Sequence, residues 1–366
     1  MIYLLLLFNL LAPFSKSFAY TASNSTEGLG VETLMGGVGQ ARLGSNGALG
    51  SNPALLGWLP KQQEFTSTNS ISYYRLKSDP GGTINVTPDI IPRFAANSEG
   101  FGRWGHSYGL IVSKMKINVD QESGGYRAIG SQETQAISLN YGLGYKISEQ
   151  SALGMSVNVG RAQEDGTFSS VGESEGFESA YIIRSRQSFW NQGVSLGYAR
   201  ALETWAFGLS TKFTTAKFGS TARNELSGYS EVTNTNTTQI DHEVGQIKIL
   251  PDFKMGIQKK FEFIKIFFDL KWTPSYTDSE FNEYIESKMS GIFGMEGFFT
   301  ETYKWYSGLG YYPPDNTSKT DAGSLHFGIS KRGQHSLNYA GLSWARAIAS
   351  AESELINLNF GTKFEY

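Results

Sequence analysis

The feature that most constrains this chain is the repeated alternation of apolar and polar residues along segments of about ten residues. In the final segment the apolar face, with one threonine, carries Ile356, Leu358, Phe360, Thr362, Phe364 and Tyr366, and the other face carries Asn357, Asn359, Gly361, Lys363 and Glu365. The same period of two recurs in residues 137–147, 153–161, 205–213 and 264–272. This period predicts β-strands with one apolar and one polar face.

Alternating strands occur both in soluble β-sandwiches and in membrane β-barrels. Strand length, aromatic placement and connection length distinguish these two architectures. Strands of about ten residues cross a bilayer when they are tilted. Aromatic residues such as Tyr145, Trp205, Trp272 and Tyr366 lie toward strand ends, where interfacial girdles belong. All of this favours a membrane barrel over a sandwich.

The spacing of the strands supports the same interpretation. Short turns at 148–151, 202–204, 259–262 and 332–334 alternate with long connections at about 164–186, 218–247 and 274–323. Tight periplasmic turns and longer extracellular loops alternate in this way in transmembrane antiparallel β-barrels. The pattern gives twelve strands as a lower bound, with a further pair expected within 274–323 or 218–247.

Composition excludes several function classes. The 366 residues include 42 Gly and no Cys, and their net charge is −3. A chain without cysteine has neither a disulfide framework nor thiol chemistry, and a basic stripe of the kind that binds nucleic acid is missing.

No enzymatic site is expected either, and no cofactor or metal. The sequence 193–197 matches GxSxG but lies within an alternating strand rather than at a strand-to-helix elbow. Its four histidines, His106, His242, His326 and His335, lack metal-ligand spacing.

The first nineteen residues differ from the rest of the chain. An apolar block is followed by Ser17, Phe18 and Ala19, which fit a signal-peptidase site, so residues 1–19 are predicted to be a cleaved secretory signal. The alternative is a membrane anchor, although the block is short for a span of about 20 residues. After residue 19 no stretch of 18 apolar residues occurs, which excludes a helical membrane protein.

Residues 20–60 do not alternate, and they are rich in glycine. Glycine permits tight backbone folding, while the leucine and tryptophan side chains of this segment argue against disorder. The sequence therefore predicts a compact irregular segment that folds back within a confined space.

This segment resembles the N-terminal hatch of the FadL/TodX family of outer-membrane transporters. The resemblance is carried by the Glu-Gly-Leu-Gly sequence that includes Gly28 and Gly30, by the glycine run through Gly39, and by residues 51–56, in which Asn52, Pro53 and Ala54 match the NPA motif of that family. It extends more weakly through 87–94 and 101–105. The resemblance implies a 14-stranded barrel (61–366), a hatch in its lumen (20–60), and passage of hydrophobic molecules through a side opening.

Candidate site residues follow from these expectations. Gly28, Gly30 and the NPA residues are candidates for the gate, and Pro92, Gly102 and Gly105 for a strand break at a side opening. Pro92 alone equally fits a simple strand end.

Cations on the polar strand faces are candidates for contact with a ligand carboxylate, and Arg161, Lys212 and Lys271 are named for this role. The alternative is a solvated lumen wall, which is usual in barrels. In the C-terminal strand Phe360, Phe364 and Tyr366 form the expected signal for the barrel assembly machinery.

The predicted function is passive outer-membrane transport of long-chain fatty acids or similar hydrophobic compounds, with outer-membrane lipids as surroundings. Two alternatives remain open at this stage. One is a general diffusion porin, and the other is a structural barrel without transport; either could be a homo-oligomer.

Overall fold

The structure, a computed structural model, describes residues 30–35, 37–43, 46–78, 82–85, 89–123, 126–174, 177–230, 234–243, 249–278, 283–285, 287–313, 321–347 and 353–366. The predicted signal at 1–19 and Gly28 lie outside the described residues. Three 3-10 helices precede the strands and span Gly30–Met35, Asn46–Leu49 and Pro53–Trp58.

The strands, β1 to β18 in chain order, span Glu64–Ser78, Gly82–Asn85, Asp89–Phe101, Trp104–Ser123, Tyr126–Ser148, Ser151–Ser174, Phe177–Ala201, Trp205–Ser230, Asn234–Glu243, Ile249–Lys260, Ile264–Thr273, Tyr276–Asp278, Glu283–Ile285, Lys288–Phe298, Tyr303–Tyr312, Ala322–Arg332, Ser336–Ala347 and Ser353–Glu365.

Fourteen of these strands form a closed antiparallel barrel. The circuit runs β1, β3 to β8, β10, β11 and β14 to β18, and it closes because β18 pairs with β1. Of the other four strands, β2 pairs with the far ends of β1 and β4, and β9 pairs antiparallel with the far half of β8. The last two, β12 and β13, form a separate hairpin. The prediction of an antiparallel barrel is confirmed. The two strands missing from the count of twelve are β14 and β15, which lie within 274–323.

The alternation of residues separates the two faces of the wall. On β6 the outer row Leu153, Met155, Val157 and Val159 is exposed, whereas the intervening inner residues are buried or half-buried. An apolar outer row suits a lipid-facing surface. Among the helices of the described ranges, none is long and apolar enough to cross a membrane.

The two ends of the barrel differ. At one end, here the short-turn end, the barrel strands are joined by the turns 102–103, 149–150, 202–204, 261–263, 299–302 and 333–335. At the other end β4 to β8 run on for 20 to 26 residues, whereas β10, β11 and β14 to β18 have 10 to 13.

The expectation that 164–186 and 218–247 are loops is therefore wrong for most of their length. β6 stays paired with β7 up to Ser174 and Phe177, and β8 continues into a hairpin with β9. Both faces of such an extension can be polar where it projects beyond the apolar belt, so its sequence carries no apolar alternation although the ladder continues.

Candidate functional site

The described N-terminal residues up to 60, called here the N-terminal segment, lie inside the barrel. Their first helix contacts β1 and β14 to β18, and their third helix contacts β3 to β7. Val31, Leu34, Met35 and Val38 form one buried apolar cluster with wall residues, and the leucines of the third helix form another. The segment thus touches wall strands all around the lumen.

Glycines of the inner wall allow this close approach. A Cβ at Gly105 would overlap the carbonyl oxygen of Leu56, and a Cβ at Gly208 would overlap that of Gln40. Further inner-wall glycines whose Cβ would meet the segment are Gly142, Gly144, Gly154, Gly197, Gly256, Gly294, Gly308, Gly328 and Gly341. The backbone of the segment is therefore packed directly against the backbone of the wall.

The NPA residues form the start of the third helix of the segment. Asn52 caps the third helix, because its side-chain oxygen accepts a hydrogen bond from the Ala54 amide at 3.1 Å, and Pro53 is the first helical residue. The Asn52 amide group donates to the carbonyl oxygens of Gln40 and Tyr198, both at 3.0 Å. Asn52 is fully buried. One side chain thus joins two parts of the segment and links both to the β7 wall.

Gly30, the other described gate candidate, begins the first helix with φ +68°, a value that favours glycine. It lies at the start of the buried segment, so its role there is conformational.

Charged side chains provide a second set of attachments. The Asp269 carboxylate on β11 accepts hydrogen bonds from the backbone amides of Gly39 at 2.7 Å and Gln40 at 2.9 Å. Between the segment and this wall is a cavity of about 20 Å³, room for a single water. The contact between segment and wall is therefore tight on this side.

Arg42 links the segment to β14. Its guanidinium lies 2.6 Å from the Glu32 carboxylate and 3.2 Å from that of Glu296, which also contacts Lys304 at 2.9 Å. Burial opposes the charge of Arg42, but the two carboxylates outweigh it and raise the pKa of the guanidinium above its ordinary value. The ion pairs are thus retained although Glu32 and Glu296 are only 1% exposed.

The ladder between β3 and β4 is shorter than the two strands. Their ladder runs from Phe101 and Trp104 up to Phe94 and Ile111 and ends there. β3 nevertheless continues along β1, after a register shift that leaves Arg93 without a partner residue, through Pro92 to Asp89. Among the described residues, β4 is next paired on this side at 118, with β2. Within the described part of the chain, residues 112–117 of β4, a stretch about 20 Å long, therefore have no ladder partner on this side, and this unpaired stretch is called here the gap.

Phe94 and Arg93 lie at the end of the gap where the β3–β4 ladder stops. Phe94 is buried against Leu49 of the segment, and Ile111 packs beside them. Arg93, in the bulge, donates a hydrogen bond to the Ser72 hydroxyl at 3.1 Å. The gap thus has an apolar contact and a cation at its edge. The sequence placed Phe94 and Arg93 within the resembling stretch 87–94 but did not mark either as a site residue. The neighbouring Pro92 was the available signal.

The two glycines predicted to break a strand do not do so. Gly102 has φ +66° and forms the β3–β4 turn, and Gly105 pairs regularly with Gly100 and Gly144. Their prediction was wrong, because a glycine here serves a turn or a close approach rather than an interruption.

The three candidate cations fall on opposite faces. Lys212 and Lys271 belong to the inner rows of β8 and β11, and Lys254 lies on β10 directly opposite Lys271. The Lys271 ammonium lies 3.5 Å from the Asp252 carboxylate. These lysines share one patch of the lumen wall.

Arg161, in contrast, continues the outer row of β6 after Val159 and is exposed. The expectation that it faces the lumen is wrong, because the parity of the strand, and not the polarity of the residue, decides the face.

The C-terminal strand pairs with β1 over its whole length and with β17 over residues 354–364. Phe364 and Tyr366 are exposed and their ring centroids lie 6.5 Å apart, while Phe360 is half-buried. The three residues share the outer row of the wall.

Among the described residues no cluster of three or more His, Asp or Glu suits a metal ion. The GxSxG residues 193–197 lie within the β6–β7 and β7–β8 ladders, and His326 hydrogen-bonds to the hydroxyls of Ser324 and Ser343.

The fold is shared with solved channels for hydrophobic compounds. CymD, a monoaromatic hydrocarbon channel, superposes with a TM-score of 0.72 at 13% identity over 93% of this chain and 98% of its own. The P. putida toluene transporter TodX superposes with a TM-score of 0.71 at 14% identity, over 93% of this chain and 99% of its own. A Pseudomonas aeruginosa FadL homologue superposes with a TM-score of 0.69 at 11% identity, over 92% of this chain and 97% of its own. Neither a protein-family model nor a curated protein matches this chain.

Proposed function

We propose that this protein is an outer-membrane channel through which hydrophobic compounds pass passively from the cell exterior toward the periplasm. The observation that carries the proposal is the gap between β3 and β4, at the register shift beside Pro92 and Arg93. The fold shared with hydrocarbon and toluene channels supports it. Residues 1–19 would be the cleaved signal, 20–60 the hatch and 61–366 the barrel.

A side opening suits such cargo on physical grounds. Each buried CH₂ group favours an apolar site over water by about 0.8 kcal/mol, so a water-filled exit would hold back a hydrophobic solute. A gap at the height of the lipid-facing wall releases the solute from the lumen into the bilayer. The apolar contact of Phe94, Leu49 and Ile111 gives the solute a surface to cross at that point.

The N-terminal segment would act as the hatch. It is fixed to β7, β11 and β14 by Asn52, Asp269 and Arg42, and it contacts the wall on every side. A lumen filled in this way blocks axial diffusion and leaves the side gap as the open route.

The proposed cargo is a long-chain fatty acid or a similar compound with an anionic end. Lys212, Lys254 and Lys271 lie together on the lumen wall, above the segment, where a carboxylate could be bound by charge-assisted hydrogen bonds. The C-terminal row of Phe360, Phe364 and Tyr366 is proposed to be recognised by the barrel assembly machinery.

The test is to close the gap. Deleting Arg93 removes the extra residue of the bulge, and Pro92→Val restores an amide to the ladder, so β3 and β4 can pair further. We expect uptake of a labelled fatty acid to fall at least tenfold while heat-modifiable gel migration shows an assembled barrel. The matched control deletes Ile147, the extra residue of a bulge in the β5–β6 ladder. Equal uptake by the Arg93 variant and the control would refute the side exit.

Single-channel conductance separates this function from a general diffusion porin. The protein from residue 20 onward should be closed or nearly closed in a planar bilayer, and a version lacking residues 20–60 should conduct. A large steady conductance with the segment present would favour the porin.

A further inference from the structure

Three arginines stand on the outer face of the barrel just beyond its apolar belt. Arg161 follows Val159 in the outer row of β6, and Arg184 and Arg186 precede Trp190 in the outer row of β7. All three side chains are exposed. They lie on the long-strand side of the belt, away from the short-turn end, which carries Glu64 and Glu365.

Strand pairing brings the three arginines together. Arg161 is directly opposite Trp190, and its guanidinium carbon lies 6.0 Å from the centroid of the Trp190 ring. Arg186 is opposite Asp165 and binds its carboxylate at 2.5 Å, and Arg184 is one outer position further. Among the described side chains of these two strands, three guanidinium groups therefore face the carboxylate of Asp165.

The neighbouring pair of strands does not cancel this excess. On β4 and β5 the Lys114 ammonium lies 3.5 Å from the Glu133 carboxylate, so those two charges balance each other. Among the described side chains of β4 to β7, the outer face at this height therefore keeps a net positive charge, which arginine carries.

We propose that Arg161, Arg184 and Arg186 bind the phosphate groups of a phosphorylated lipid of the outer leaflet, of the lipid A type. The planar guanidinium donates paired hydrogen bonds that match phosphate oxygens. The apolar row from Leu153 to Val159 lies directly below, where the acyl chains of the same lipid would pack. The proposal rests on the proposed outer-membrane location and orientation.

The position of the arginines agrees with the energetics of a lipid-facing wall. An arginine on the lipid face costs about 2–4 kcal/mol at the midplane but about 0–1 kcal/mol near the interface. Trp190 marks that interface, since tryptophan is enriched at the boundary between lipid and water. Arg161 therefore lies where headgroups begin.

The test measures binding of lipid A to the delipidated protein in detergent micelles, by native mass spectrometry. Arg161→Glu with Arg184→Glu reverses two charges of the patch. The matched control is Arg200→Glu, which reverses an exposed arginine at the short-turn end of the same strand β7. Lipid A without phosphate groups is the second probe.

We expect wild-type protein and the Arg200 variant to bind phosphorylated lipid A equally, and the double variant to bind it at least tenfold more weakly. All three should bind the dephosphorylated lipid equally. Unchanged binding by the double variant, or an equal loss in the Arg200 variant, would overturn the proposal.

Two further measurements keep these outcomes interpretable. If the double variant fails the heat-modifiable migration assay, Arg161→Gln with Arg184→Gln replaces it, because it removes charge without reversing it. Fatty-acid uptake is recorded on the same variants and should stay at the wild-type rate. Lipid binding without transport would refute the proposed function alone, and transport without lipid binding would refute this inference alone.

Discussion

The attachment of the N-terminal segment through Asn52 predicts the effect of an isosteric change, Asn52→Asp. The side chain is fully buried, and its amide donates two hydrogen bonds at 3.0 Å, to the carbonyl oxygens of Gln40 and Tyr198. An aspartate keeps the oxygen that accepts from Ala54 but faces the two carbonyl oxygens with a second oxygen instead of a donor. A buried partner left without its hydrogen bond costs about 1–3 kcal/mol.

The two lost bonds together cost about 3 kcal/mol, which lowers the docking equilibrium constant of the segment about 100-fold. The barrel ladders do not involve this side chain, so the loss falls on docking and leaves barrel assembly intact. If the segment is displaced in about 0.1% of wild-type molecules, a 100-fold weaker docking equilibrium displaces it in roughly 10% of variant molecules.

Single-channel recording tests this expectation, since each displacement should appear as an opening. The control is Asn140→Asp, an inner-wall asparagine whose amide donates to Ser138 rather than to the segment. Openings as rare in the Asn52 variant as in the control would refute the idea that these hydrogen bonds hold the segment in place.

Three further changes probe the same architecture. Gly208→Val should displace the segment, since its Cβ would overlap the Gln40 carbonyl oxygen, whereas Gly291→Val meets only side chains at ordinary distance; equal openings in both variants would contradict this. Arg42→Met should cost about 3–5 kcal/mol of docking by leaving buried carboxylates without their guanidinium, measured as faster proteolysis within residues 30–60; unchanged proteolysis would count against it. Phe364→Ser with deletion of Tyr366 should lower the fraction of assembled barrel in cells but not refolding in detergent, and normal cellular assembly would refute an assembly signal there.

The sequence predicted most of the barrel because the outer face is predominantly apolar within its belt. Alternation is readable wherever the inner face is polar or glycine, as on β6 and β18. It failed on β14 and β15, where Ile292 and Tyr306 point inward against the apolar cluster around Leu34 and Met35. At these two positions apolar residues stand on both faces, which masks the period of two although the ladder is regular.

Sequence motifs indicated some of the residues of the candidate site. Residues whose position depends on the pairing register of the strands were missed. Asn52 and Pro53 stand in a short motif, and their positions in a helix cap follow from residue type alone. The bulge at Arg93 depends on how β3 pairs with β1 and β4 at once, which no local pattern contains. For Arg161 the residue type was misleading, because its charge suggested the lumen whereas its position in the strand places it on the outer face.

The glycines of the inner wall give the N-terminal segment and the barrel a mutual dependence. At Gly105, Gly208 and Gly308 the wall meets a backbone carbonyl of the segment rather than a side chain. Contacts of this kind depend on the absence of a Cβ in the wall and little on which residues the segment carries. The wall without the segment would be lined by glycines that pack against nothing, and the segment without the wall could not bury its leucines. The lumen is therefore shaped to pack against a chain backbone. Under the proposed function, this leaves the gap between β3 and β4 as the route for a solute.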